Sequence, residues 1–233
     1  MDAPATKADP PDDAAGHRAR LRARLLDGGG DALLDHELVE YLLALAIPRR
    51  DTKPLAKALL REFGGLGGVL TAQPEALARV KGMGETSVAA LKIVQAAALR
   101  LLRAEAMARP VLSNWQALLD YLRADMAHCL VERVRVLHLN TRNMLVRDEL
   151  MSEGSIDEAA LYAREVIRRA IDLGSAAVIL VHNHPSGDPK PSKADIDVTR
   201  AIADAGKRLG IAVHDHVIVG TQGHASLRAL GLI

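Results

Sequence analysis

Cysteine is nearly missing from this 233-residue chain, with Cys129 as its one copy. That excludes an internal disulfide and any zinc site built on several thiolates. Aromatic residues make up only 2% of the sequence, which argues against a surface that reads unpaired bases by stacking. No apolar run reaches the roughly 18 residues that a membrane-spanning helix needs. The first residues are Asp, Pro and Ala, not a basic and then apolar leader. Lysines and arginines number 30 against 29 aspartates and glutamates, so no net charge drives the whole chain toward nucleic acid or a lipid surface. The expectation is a soluble, cytoplasmic protein with no membrane partner. Its 49% hydrophobic content is enough to bury a core.

The residue pattern divides the chain into three. Residues 1–16 are rich in Asp, Pro and Ala without apolar periodicity and are expected to be a disordered tail. Residues 17–108 read as an all-helical domain. Leu33, Leu34, Leu38, Leu42, Leu43 and Leu45 recur at three-to-four spacing, with Asp35 as cap and Pro48 as stop. A second helix fits residues 52–63, ended by Gly64 and Gly65; others fit 74–80 and 88–103. Residues 109–233 alternate strand and helix, an α/β pattern. After a short helix at 115–126, strands fit 130–139 and 144–151, with residues 141–143 in the turn between them. A helix follows at 158–173, a buried apolar strand at 176–181, a helix at 192–209 and a strand at 211–219. Trp115, the lone tryptophan, is expected to pack between the domains.

The chemistry concentrates in residues 182–195, His-Asn-His-Pro-Ser-Gly-Asp-Pro-Lys-Pro-Ser-Lys-Ala-Asp. In an extended chain, residues two apart share a face, so His182 and His184 converge. Three prolines and a glycine then turn the chain back. Ser192 stands where a helix N-cap belongs, and Asp195 falls in the first turn of that helix, which brings a carboxylate back toward the two imidazoles. Two nitrogens and one oxygen leave a fourth tetrahedral corner for water, as catalytic zinc requires. The plainer reading is a His-x-His at a strand end and an aspartate that only favours its helix N-terminus.

This string resembles the JAMM (JAB/MPN-type) metalloprotease pattern H-x-H-x7-S-x2-D at every position. With Ala177-Val178-Ile179-Leu180 before it and residues 215–220, Asp-His-Val-Ile-Val-Gly, after it, the chain is similar to the bacterial RadC (UPF0758-like) family over nearly its whole length after the tail. The tripeptide at 182–184 is not an HNH nuclease motif, whose residues are dispersed over a ββα unit. The resemblance implies a cytidine-deaminase-like JAB/MPN domain, with a mixed sheet flanked by helices, over residues 109–233. It implies Zn held by His182, His184 and Asp195, and hydrolysis of a peptide or isopeptide bond in a protein substrate by activated water.

A general base is then needed. Glu132, Glu149, Glu153 and Glu165 lie upstream. The family places its catalytic glutamate before the first core strand, which maps to Glu132; Glu165, in Ala163-Arg164-Glu165-Val166, also fits a family position. Read without the family, Glu132 is a strand-end glutamate pairing with Arg133 or Arg135. Ser192 matches the family's serine, thought to stabilise an oxyanion. His214 and His216 could support the ligands from behind or be ordinary buried histidines. Cys129 is expected to be a buried, inert thiol.

In the N-terminal domain, Val80-Lys81-Gly82-Met83-Gly84 followed by a helix resembles a helix-hairpin-helix motif. Glycines there let backbone N–H groups approach a phosphate, and Lys81 and Lys92 could add contacts. Residues 17–109 hold 15 lysines and arginines against 10 aspartates and glutamates, which points weakly to non-specific DNA as a partner. The competing readings are a DNA-associated accessory factor with a structural or nucleolytic metal, and a hairpin that serves only structure.

Overall fold

The computed structural model describes residues 13–154 and 161–233. The chain divides into two compact units, 1–95 and 96–233. The sequence pattern suggests a boundary between residues 108 and 109; the division between compact units falls inside one long helix. Most of the expected tail lies outside the described residues, but its last residues, from Asp13, already belong to a helix.

The first unit is all helical. It contains α1 (Asp13–Gly28), α2 (Asp35–Ala46), α3 (Lys53–Phe63), α4 (Leu66–Thr71), α5 (Pro74–Arg79) and the start of α6 (Glu85–Met107). The leucine spacing seen in the sequence gives each helix one apolar stripe. Leu43, Leu55, Leu59, Val69, Leu77 and Leu91 close a single aliphatic core. Asp35 is the first helical residue of α2 and not its cap: Leu34 holds the extended cap conformation. The Leu34 N–H donates to Glu37 Oε2 at 3.0 Å, so the acid three positions on supplies what a leucine side chain cannot. Helix α4 was not expected, because Gly67 and Gly68 lower helix propensity. It forms because Val69 is fully buried and because Gly68 lies against the Phe63 carbonyl, where a Cβ would collide.

The second unit is α/β. It holds the rest of α6, α7 (Trp115–Met126), β1 (Glu132–Leu139), β2 (Leu145–Gly154), α8 (Ala163–Asp172), β3 (Ala177–Asn183), α9 (Lys193–Arg208), β4 (Ala212–Gly220) and β5 (Gly223–Ser226). The helix expected from residue 158 is described from Ala163 onward; residues 158–160 lie outside the described residues. The strands form one mixed sheet in the order β2-β1-β3-β4-β5. Only β3 and β4 run parallel, joined by α9 as a crossover.

Strand β3 is buried at all seven positions, as a central strand covered on both faces must be. Its residues alternate between two cores. Ile179 and Val181 join Leu137, Leu139 and Val217 beneath α7. Val178 and Leu180 join Val136, Val166 and Ile202 beneath α8 and α9. Trp115 is partly buried against the α7-side core of this unit. Strand alternation therefore sends His182 to the α9 face and Asn183 to the α7 face. No helix among the described residues is long and apolar enough to cross a membrane.

Candidate metal centre

The site forms where β3 ends and α9 begins. His182 is the last residue but one of β3 and is 2% exposed. His184 follows the strand and ties back to β4 through its N–H, which donates to the Val219 carbonyl at 2.9 Å. The loop to α9 then folds over the end of β4. Gly187 has φ +88°, and its carbonyl lies so close to Gly220 that a Cβ there would collide with it. At the start of α9 a reciprocal cap closes the turn. The Asp195 N–H donates to Ser192 Oγ at 3.2 Å, and the Ser192 N–H donates to Asp195 Oδ2 at 2.7 Å. Asp195 is thus oriented by the helix start, and the helix dipole favours its negative charge.

These local rules bring three donors together. His182 Nε2 lies 3.0 Å from His184 Nε2 and 3.3 Å from Asp195 Oδ1. Asp195 Oδ2 lies 3.8 Å from His184 Nε2. Their ligand atoms all fall within 4.8 Å of one another. A tetrahedral zinc ion with ligands at about 2.0–2.1 Å spaces them about 3.3 Å apart, so the observed separations fit one ion.

The hydrogen bonds behind the site specify which ring nitrogens carry protons. The Thr199 hydroxyl donates to the Asp195 carbonyl, which can only accept. Its oxygen is then left to accept from His216 Nδ1, 2.6 Å away. Burial pushes the His216 ring well below its ordinary pKa, so it is neutral and its Nε2 is bare. That Nε2 lies 2.7 Å from His182 Nδ1, which must therefore be the donor. Burial also pushes His182 down, against the pull of Asp195, which raises it; its Nε2 is left as a lone pair. His184 Nδ1 faces the Asp188 carbonyl at 2.8 Å and can only donate to it, so a neutral His184 also presents a bare Nε2. Two lone pairs and a carboxylate pointed at one another repel unless a cation lies between them.

Glu132 opens β1, in antiparallel register with the end of β3. Its carboxyl is half-buried. Burial raises its pKa, while His184 pulls it down and Asp195 adds a smaller upward push. Arg133 pairs with Glu153 at 2.8 Å, and Arg135 with Asp125 and Asp148 at 2.6 and 2.8 Å. Among the described residues, neither arginine turns to Glu132. Glu165 is elsewhere, on α8, paired with Arg164 and Arg168. Glu149 is held by Arg169.

His214 and His216 part company: His214 Nε2 meets Asn143 Oδ1 of the β1–β2 turn at 2.7 Å, while His216 stands behind His182. Cys129 is half-buried rather than buried; burial raises its thiol pKa, against the smaller lowering effect of Arg133. Two residues of the centre carried no earlier assignment. Thr199 sits four residues after Asp195 on α9, the spacing that shares a helix face. Asn183 hides between the two histidines.

In the helical unit, Lys81 is exposed on the α5–α6 turn, and Gly82 takes φ +104°. The Met83 N–H donates to the Val80 carbonyl and the Gly84 N–H to Ser87 Oγ at 2.8 Å, so neither amide is free for a phosphate. Lys92 is turned away from that role. Its Nζ donates to the Leu70 carbonyl at 2.9 Å and to Gln95 Oε1 at 2.7 Å, and burial lowers its pKa. The Arg50 guanidinium lies against Gly82.

The fold and donor set define a JAB-type α/β domain with a candidate mononuclear metal site. Residues 112–232 match the model of the RadC-like JAB domain, and residues 15–89 match the UPF0758 N-terminal model. A UPF0758 protein of Rhodobacter capsulatus is 51% identical over 91% of this chain and all of its own length. One of Ruegeria pomeroyi is 50% identical over 93% of this chain and 97% of its own. The chain belongs to the RadC (UPF0758) family.

Proposed function

We propose that this protein is a zinc-dependent metallopeptidase that hydrolyses a peptide or isopeptide bond in a protein substrate. The observation that carries the reading is the convergence of two imidazole nitrogens, His182 Nε2 and His184 Nε2 at 3.0 Å, with the Asp195 carboxylate. One acid and two nitrogens suit zinc better than the oxygen-rich, two-metal sites of phosphodiester chemistry.

His182, His184 and Asp195 would hold the ion. When bound, zinc supplies Lewis acidity toward a carbonyl and lowers the pKa of water toward about 7. Glu132, its pKa raised by burial, accepts the proton of the attacking water and returns it to the leaving nitrogen. Ser192 uses an oxygen lone pair for its cap bond with Asp195, so its hydroxyl hydrogen stays available to the developing oxyanion. The exposed position of Ser192 lets substrate reach it. With one cysteine and no membrane-crossing helix among the described residues, we assign the protein to the cytoplasm.

The test is turnover of a panel of peptides, isopeptide-linked conjugates and DNA by the zinc-loaded chain and by its Glu132→Gln variant. Cleavage of an amide bond by the parent alone supports the reading. Cleavage of DNA and no amide, or equal turnover by both chains, contradicts it. A second reading, sequence-independent DNA binding by the helical unit, rests on exposed Lys81 and on Arg50 against Gly82. It predicts a salt-sensitive DNA shift that Arg50→Ala weakens.

A further inference from the structure

Asn183 stands between the two candidate ligands yet takes no part in holding the ion. It is completely buried on the α7 face of β3, and every polar atom of its amide is committed to one short stretch of backbone. Its Oδ1 accepts the Arg133 N–H at 2.8 Å. Its Nδ2 donates to the Val131 carbonyl at 3.1 Å and to the Cys129 carbonyl at 3.3 Å. These bonds bracket Glu132, with one on the residue before it and one on the residue after. The β1–β3 ladder is regular up to Val134 opposite His182; beyond it the Asn183 side chain replaces the ladder.

We propose that Asn183 is the positioning residue for Glu132. It fixes the backbone on both sides of that glutamate to the same two-residue stretch of β3 that carries His182 and leads to His184. The distance between the carboxylate and the metal ligands is then set by one side chain and not by the α7–β1 connection. The amide suits the task because it offers an acceptor to one N–H and two donors to two carbonyls. Aspartate would place a charge against those carbonyls, and an apolar residue would take the partner from three part-buried backbone groups. This inference rests on Glu132 as the proton acceptor.

The test compares the full-length parent, Asn183→Ala, Glu132→Gln and the double variant, each loaded with cobalt, with Asn183→Ser carried in parallel as the milder change should the alanine chain not fold. Three quantities are read: hydrogen exchange at the Arg133 amide, affinity for acetohydroxamate (a chelator whose N–OH proton a neighbouring carboxylate accepts), and turnover on the amide panel. All chains are expected to bind one cobalt. Exchange at Arg133 in Asn183→Ala becomes about tenfold faster. Hydroxamate affinity and kcat fall in Asn183→Ala and in Glu132→Gln, KM holds, and the double variant loses nothing further, because both changes disable the same group.

A purely structural asparagine would instead give losses that add in the double variant. Additive losses, parent-like hydroxamate affinity in Asn183→Ala, or loss of cobalt from that chain each overturn the proposal. A parent that cleaves no amide defeats the peptidase reading alone; the exchange and hydroxamate measurements still decide the role of Asn183.

Discussion

The two units bury polar groups on different terms. The helical unit encloses an aliphatic core, and of its few buried polar residues Thr52 and Ser87 lie at helix starts and Glu40 lies within α2, paired with His17. Thr52 donates to the Glu40 carbonyl at 2.9 Å, and Ser87 caps α6. The sheet unit buries His182, His216 and Thr199 in one connected network, with Asn183 bonded to backbone on the other face of β3, each at most 2% exposed. Burying polar groups is costly unless every one finds a partner. A chain that could have used leucines there, as its helical unit does, has kept a wired polar cluster against its own best-packed strand. On the proposed function the difference divides the labour: the sheet unit carries the candidate metal site on a hydrogen-bonded polar cluster, while the helical unit contributes an aliphatic core.

The largest expected effect lies in the sheet unit and leaves stability alone. Glu132→Gln retains metal but lowers kcat by about 10²–10⁴-fold, the usual contribution of a proton-transfer group; unchanged turnover in steady-state assays would remove Glu132 from the mechanism. Next comes a change that should act in the opposite manner. Leu59→Ala, in the core of the helical unit, costs about 2–5 kcal/mol of stability in chemical denaturation and leaves metal affinity as it was. A drop in metal affinity would erase the division of labour.

A smaller effect sharpens the contrast within the sheet unit. His216→Phe or Thr199→Val removes the hydrogen bonds that fix the His182 tautomer and lowers zinc affinity by about 10–100-fold, read by competition with a chelator. The smallest effect belongs to the surface of the helical unit. Glu37 is held down to about 2 by the hydrogen bonds of Arg24 and then by the Leu34 N–H. A depressed acid stabilises the folded state fully above its ordinary value near 4.5, and that contribution fades as pH falls from there toward 2. Glu37→Gln should flatten the acid dependence of melting in that window, and only slightly, because solvent screens the pair.

The convergence of His182, His184 and Asp195 was legible in the sequence because each is placed by a rule of short range. Strand alternation sets His182 and His184, and the first turn of a helix sets Asp195. The α/β order of the second unit was equally legible, since a six-residue apolar run such as 176–181 leaves little choice. What escaped was whatever depends on contacts far along the chain. Asn183 meets residues about fifty positions away, and nothing between two histidines marks the middle one. Thr199 was legible in principle from its spacing to Asp195, but its partner on β4 was not. The bond from Lys92 to the Leu70 carbonyl was not legible either, because helical periodicity does not say which carbonyl a lysine will find. Helix α4 was missed because local propensity opposed it and packing overrode it.

Metal binding by the purified chain tests the central claim most directly. Elemental analysis and cobalt titration should give one ion per chain with the visible spectrum of a four-coordinate site, and Asp195→Ala should abolish both while the chain stays folded. A folded parent that binds no stoichiometric metal, or an Asp195→Ala chain that binds it equally well, would contradict the account.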